Sequence, residues 1–442
     1  METQLEKLQS FQPVSQKTPE EIPSIIAAVL EIISSVPLTD LTADNEKFPA
    51  QSGLVLEAFK ILKGVCPKGK HFQQSLLESK ELLSVIQHIL SLELSQELHL
   101  LRLSTVQLLF NMSVGDNTYK IFNKFRETFV EGLNPDVASR VSETDHAKYC
   151  NTVALMLFNI VSRADYAEEL LESGELLRIL EYSLRHTLND EMLPDNVQLL
   201  LNTFATALPE TATIYEQLSD ELRLQFLYYI HDTMKEEEIC EELLNKLILR
   251  FKQTSDSILK PDGTGADKSR PKEVYCLLEI ISVASQSENE MKETVSLDGS
   301  LFLNIGCLLM SIQKLGKDPN SIFAPVQKLE ALAPNSTAPN TIESEISYKF
   351  KSLLVQTIAN LLYKNKKNQE LVREMDILIA VLDCTNIDAR NPLLKEYSIW
   401  AIRNACENNP ENQQFIASLT KIGKVKSEIV SEISEGVLRI QK

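Results

Sequence analysis

The apolar and polar positions of this chain repeat a small helical phrase. An apolar run ends on an Asn, and a Gln or another large side chain stands four residues before it. The phrase occurs at Gln107 and Asn111, Leu155 and Asn159, Gln198 and Asn202, Gln356 and Asn360, and Trp400 and Asn404. Each run predicts an amphipathic helix, because 3.6 residues complete a turn and one face meets the core. Successive Asn residues lie 48, 43, 158 and 44 apart, and the long gap has room for copies that have lost their Asn. Leu56 to Leu62, followed by Lys63, reads as an earlier copy of this kind. The residues after each phrase are also alike. Asn368 and Asn412 each stand eight residues past a phrase Asn and precede a Gln, and Asn117 to Phe122 and Asp165 to Leu170 hold the same place in earlier copies. A long helix, a polar turn and a short helix are predicted each time.

A helical period of roughly 40–47 residues is the mark of armadillo and HEAT repeats, in which each repeat buries its apolar face only against its neighbours. The expected fold class is therefore all-α, an armadillo/HEAT-like superhelix of the α-solenoid kind. Two stretches interrupt the helical pattern. Residues 253–272 hold Pro261-Asp-Gly-Thr-Gly-Ala-Asp267 and Pro271, and residues 314–340 hold Pro319, Pro325, Pro334 and Pro339. Such clusters predict loops, the second with room for a short helix near Val326 to Leu332. The expected organisation is a repeat stack over 1–252, a linker over 253–272, a middle helical unit over 273–313, a loop over 314–340 and a C-terminal helical unit over 341–442.

The most specific stretch is 388–416. Asn391 is a good N-cap and Pro392 suits the first helical position, where its missing N–H costs nothing. Ile399, Ile402 and Cys406 then form an apolar stripe predicted to be core. Pro410 ends that helix, Asn409-Pro410 repeats the cap-and-proline start, and Phe415 and Ile416 open a second apolar face. Across the helix from the stripe, Tyr397, Trp400, Asn404 and Asn408 share a face. In armadillo folds such a face lines a concave groove, where an Asn amide can hydrogen-bond an extended peptide. The ladder of Asn111, Asn159, Asn202, Asn360 and Asn404, with Gln356, has two readings: a protein-binding groove, or bonding between neighbouring repeats. On the first, Trp400→Ala with Asn404→Ala weakens partner binding and leaves stability nearly intact. An import adaptor with a Trp in every groove repeat is disfavoured, because Trp400 is the single Trp.

The wording of this stretch resembles the C-terminal signature of the ataxin-10 family. The resemblance rests on Asn391-Pro392, Glu396, Ala401-Ile402-Arg403-Asn404, Asn408 and Asn412-Gln413, and it covers roughly the last quarter of the chain. One departure is Tyr397, where the family usually carries Trp. The resemblance implies a non-enzymatic cytoplasmic scaffold linked to neuron survival, neurite outgrowth and cytokinesis. It also implies G-protein β subunits and the O-linked N-acetylglucosamine transferase as partners. Homo-oligomers are compatible with it. The alternative is an armadillo-type regulator or chaperone of G-protein subunits, which a nucleotide-exchange assay separates from a scaffold.

Composition narrows the remaining classes. The net charge of −18 opposes a general nucleic-acid binder, whose affinity comes mostly from phosphate contacts, and opposes docking on an anionic membrane. No apolar run approaches a membrane span, and the first residues lack the basic start and apolar core of a signal peptide. The seven cysteines form no CxxC pair and are expected to be reduced, mostly in the core. The six histidines show no metal-ligand spacing and are expected at the surface or its boundary. Asp262 to Asp267 lacks the alternating ligands of a calcium loop. With no nucleophile elbow, phosphate loop or zincin motif, neither an enzyme nor a cofactor site is expected.

Overall fold

The computed structural model describes residues 2–42, 44–93, 95–113, 117–136, 143–188, 193–259, 270–326, 348–419, 430–434 and 437–440. Its fold is all-α, built of armadillo-like helical repeats. The chain divides into two compact units, Met1–Leu249 and Arg250–Lys442.

In the first unit the long helices Phe48–Val65, His99–Met112, Glu143–Val161 and Asp195–Thr206 stand side by side in chain order. These are the helices that carry the repeated phrase, and we call them ladder helices. A short and a medium helix come after each one. Lys70–Glu78 and Lys80–Ser91 succeed the first, and Ala164–Ser173 and Glu175–Arg185 the third. Asn117–Gly132 fills both places after the second by breaking at Phe125, whose φ of −123° and ψ of 20° leave the helical region. The boundaries obey local chemistry. Ser79 and Ser219 each cap a helix by accepting from the amide three residues on. Gly174, at φ +79°, makes the left-handed turn between two helices that a side chain would strain. Phe59, Val106, Tyr149, Met156, Leu200 and Phe204 lie in the core.

The second unit repeats the plan. Ladder helices Arg270–Gln286, Phe350–Leu362 and Leu394–Cys406 stand side by side. Glu290–Leu297 and Gly299–Leu315 succeed the first, Lys366–Glu374 and Ile377–Asp383 the second, and Pro410–Ser418 the last. Gly306 permits the close approach of Gly299–Leu315 to Ile377–Asp383, since a Cβ there would run into the Ile377 side chain.

The structure departs from the sequence reading in several places. The expected linker 253–272 is helical where described: one helix runs to Thr254, a 3-10 turn spans Ser255–Leu259, and the next helix starts at Arg270. The Asp262–Asp267 segment and nearly all of the short helix suggested near Val326 to Leu332 lie outside the described residues. The last ladder helix begins at Leu394, two residues later than Asn391-Pro392 predict, because Leu393 adopts φ +63°. Its buried face is Leu394, Ser398, Ala401, Asn404 and Ala405, so the stripe of Ile399, Ile402 and Cys406 is not its core. Asn409-Pro410 does start a helix, with Asn409 accepting from the Asn412 amide at 3.2 Å. The strands Val430–Ser434 and Val437–Ile440, which the helical period gives no sign of, pair antiparallel.

Candidate functional site

The Asn ladder behaves differently in the two units. In the second unit it is buried. Asn360 donates to Ser285 Oγ at 2.9 Å, and Asn404 donates to the Ala359 carbonyl at 2.8 Å. Each Asn thus reaches back to the preceding ladder helix and forms a rung between repeats. With Asn404 only 3% exposed, the groove reading fails for these two residues. Burial requires their amides to be satisfied within the protein, and the neighbouring helix satisfies them. Gln356 is half-buried beside them.

The residues just beyond each ladder helix serve its last turn. Asn368 Nδ2 donates to the Leu361 carbonyl at 3.0 Å, and Asn412 Nδ2 donates to the Ala405 carbonyl at 2.7 Å. Gln413 repeats the arrangement on the Cys406 carbonyl at 2.8 Å. The last carbonyls of a helix have no intrahelical donor, so an amide side chain arriving from the next helix supplies one. Gln369 extends the lock to the next repeat by donating to the Asn404 carbonyl at 2.9 Å.

The Asn391 motif caps a helix other than its own. Its Oδ1 accepts from the amides of Lys351 and Ser352 at 2.9 and 3.2 Å, at the start of Phe350–Leu362. Its Nδ2 donates to Asp388 Oδ2, which also receives Lys351 Nζ at 3.2 Å. Pro392, Glu396 and Arg403 are exposed, and Asn412 is fully buried. The family motif therefore divides into buried locks (Asn391, Asn404, Asn412) and exposed residues. Of the proposed recognition face, Trp400 and Asn408 are exposed and Tyr397 is half-buried. The double change Trp400→Ala and Asn404→Ala does not test binding alone, because its Asn404 half removes a rung.

In the first unit the ladder is open. Asn159 is exposed, and Asn111 and Asn202 are half-buried. Asn202 donates to Glu237 Oε2 at 2.9 Å at the edge of a cleft of about 460 Å³. Gln198, Leu199 and Tyr229 line this cleft with the carboxylates Asp195, Asp232, Glu236 and Glu237, of which Asp232 receives Lys235 Nζ at 2.6 Å. Burial pushes the Tyr229 hydroxyl up to about 12, with Glu237 adding to the rise. It stays protonated and donates to the Gln198 carbonyl at 3.0 Å. Rungs of other kinds join this unit: Lys63 Nζ reaches Gln107 Oε1 at 2.8 Å, and the Asn196 amide reaches Asn151 Oδ1 at 3.0 Å. The Asn151–Asn196 pair escaped the sequence reading. Its separation of 45 residues, one repeat length, is the signal that could have found it.

One Cys–His contact has the spacing of a nucleophile and base. Cys150 Sγ lies 3.0 Å from His146 Nε2. Both are buried, which pushes the thiol up to about 12 and the imidazole down to about 4, so the pair stays neutral and out of reach of a substrate. His99 and His146 are thus core residues, against the expectation of surface histidines. This burial makes stability depend on pH. Above about pH 6.5 His146 is neutral in both the folded and the unfolded chain. As pH falls toward 4 only the unfolded chain takes up the proton, so the folded unit loses about 2–3 kcal/mol through this window. Urea unfolding of wild type and His146→Gln, tracked by circular dichroism at pH 7 and pH 4.5, should show the increment in the wild type alone.

Known proteins are similar to this chain in sequence. A family model described as the spinocerebellar ataxia type 10 protein domain covers residues 350–438, which include the last two ladder helices and their locks. This C-terminal part of the chain is similar to the ataxin-10 family. Ataxin-10 of Xenopus tropicalis is 29% identical over 184 residues, 41% of this chain and 36% of its own. Human Ataxin-10 is 36% identical over 126 residues, 28% of this chain and 25% of its own. An Ataxin-10 homolog of Debaryomyces hansenii is 26% identical over 344 residues, 74% of this chain and 67% of its own. The matched region thus spans about a quarter to a third of the vertebrate relatives. Among the described residues no single helix is long and apolar enough to cross a membrane.

Proposed function

We propose that this chain is a member of the ataxin-10 family and a non-enzymatic cytoplasmic scaffold that binds protein partners through the open side of its ladder. The observation that carries this reading is the cleft on Asp195–Thr206, where Gln198 offers an amide beside Asp195, Glu236 and Glu237. Amides suit an extended backbone, and a concave wall with a surplus of one sign attracts a segment of the other. The partner is therefore a protein with an extended, cationic segment. Tyr397, Trp400 and Asn408, on the last ladder helix, offer a second and smaller surface. The family links to G-protein β subunits, to the O-linked N-acetylglucosamine transferase, to neurite outgrowth and to cytokinesis are roles such a scaffold would serve.

The test is affinity purification from cytosol with wild type and Asp195→Lys/Glu236→Lys side by side, read by mass spectrometry. Both positions are exposed, so the fold is expected to hold, and circular dichroism checks it. Partners lost from the variant by about tenfold or more place recognition in the cleft, as expected for reversal of two contacting charges. An unchanged partner list rejects the cleft as the binding surface.

A further inference from the structure

The second unit carries a basic patch in an acidic chain. Lys292 Nζ lies 5.4 Å from the centre of the Tyr363 ring, and Lys364 Nζ lies 5.0 Å from it. Lys367 Nζ rests over Gly299, where a Cβ would stand 3.2 Å away. Tyr363 is 42% exposed, Lys364 and Lys367 are exposed, and Lys292 is half-buried. The chain has 62 acidic residues against 44 Lys and Arg, yet none of these three lysines is in an ion pair among the described residues. Nearby charges are paired with others. Lys366 faces Glu370 at 4.0 Å and Glu411 at 3.8 Å, and Asp298 receives Lys252 at 2.6 Å. Glu293 follows Lys292 in sequence, but adjacent positions of a helix do not face each other.

Local chemistry assembles the patch. Tyr363 follows the ladder helix Phe350–Leu362, and Lys364 then turns the chain left-handed at φ 54°. Asn365 caps the next helix by accepting from the Asn368 amide at 3.1 Å, and its Nδ2 donates to the Ser296 carbonyl at 2.9 Å. The second bond ties the turn to Glu290–Leu297, the helix that carries Lys292 one turn before Ser296 and on the same face. Cation–π attraction draws both ammonium groups to the ring. The turn itself requires no charge, because the uncharged Asn408 holds the same place 44 residues later at φ 53°.

We propose that Lys292, Tyr363, Lys364 and Lys367 form a docking surface for an acidic segment of a protein partner, a site of opposite sign to the cleft of the first unit. Two unpaired ammonium groups beside one ring repel each other, and a carboxylate brought beside them is attracted by both. A phosphate site gathers its donors on one point and favours the fork of an Arg. Here the charges are lysines from three separate elements around an exposed ring, which suits successive acidic side chains with an apolar one among them. The net charge of −18 repels such a segment from the chain as a whole, so the patch decides where it lands.

The probe is a fluorescein-labelled peptide that repeats Glu-Glu-Leu-Glu, titrated with the full chain and read by fluorescence anisotropy. Wild type is compared with Lys292→Glu/Lys364→Asn and with Lys70→Glu/Lys80→Asn. The last pair makes the same change of net charge at exposed lysines of the first unit. Asn408 shows that Asn suits the turn, and circular dichroism checks that both variants fold. The Kd of the patch variant should rise by about tenfold or more while the matched variant stays within about twofold of wild type, as expected for loss of contacting rather than distant charges. No binding by wild type, or equal affinities of the two variants, overturns the proposal. At constant ionic strength, inorganic phosphate should displace the peptide far less readily than unlabelled peptide does. Displacement by phosphate at equal concentration would make the patch a phosphate site and overturn the acidic segment.

Discussion

Lys351→Met should destabilise the second unit by about 3–5 kcal/mol, the loss typical of removing one partner of a buried ion pair. Lys351 and Asp388 are 3.2 Å apart, with side chains 8% and 3% exposed. The Asp388 carboxylate also accepts from the amides of Val326 and Arg390 and from Asn391 Nδ2. Removing the ammonium leaves a buried anion whose remaining donors are all neutral. Urea unfolding read by fluorescence is the measurement, because the single Trp400 lies in this unit and reports on it alone. Lys351→Met/Asp388→Asn should recover part of the loss, since the second change removes the stranded charge. A loss below about 1 kcal/mol for Lys351→Met would be the size of a surface pair and would refute a buried one.

Asn412→Ala should be the next most damaging change, at about 2–4 kcal/mol, because it strands several buried groups at once. Asn412 Nδ2 serves the carbonyls of Gln369 and Ala405, both at 2.7 Å, and its Oδ1 accepts from Arg373 at 2.8 Å. One side chain thus ties the last turn of Leu394–Cys406 to the helix Lys366–Glu374 of the preceding repeat. Gln413→Ala makes a matched control. It removes a similar bond to a helix-end carbonyl, but at an exposed position where water replaces the donor, so it should cost less than about 1 kcal/mol. Equal losses for the two variants would mean that burial of Asn412 contributes nothing to its role.

Asn412 is a residue whose spacing the sequence displayed but whose task it did not, and Lys351 carried no signal there at all. The inter-repeat bonds of Lys63 to Gln107, Asn196 to Asn151, Asn404 to Ala359 and Asn412 to Gln369 join residues 43 to 45 apart. That separation is the repeat period, so each bond joins corresponding or adjacent positions of successive repeats. The motif around Asn391 reads in sequence as the start of its own helix. Leu393 turns the chain left-handed instead, and the Asn391 amide is left facing the neighbouring helix start. Capping needs only an acceptor near free amides, and sequence adjacency is the commonest way of placing one there but not the only way.

The sequence by itself determined the helices and their three-part repeat, because periodicity, caps and prolines act within a few residues of where they are written. It could not decide which face of a ladder helix meets a neighbour. Ile399, Ile402 and Cys406 carry the same apolar spacing as Val355, Ile358 and Leu362, yet one set is open and the other buried. Nor could it separate Asn404, a buried rung, from Asn159, an exposed ladder position. Only the tertiary structure decided these, since burial depends on which helix stands alongside, and that is fixed by stacking between repeats rather than by the residues of any one helix.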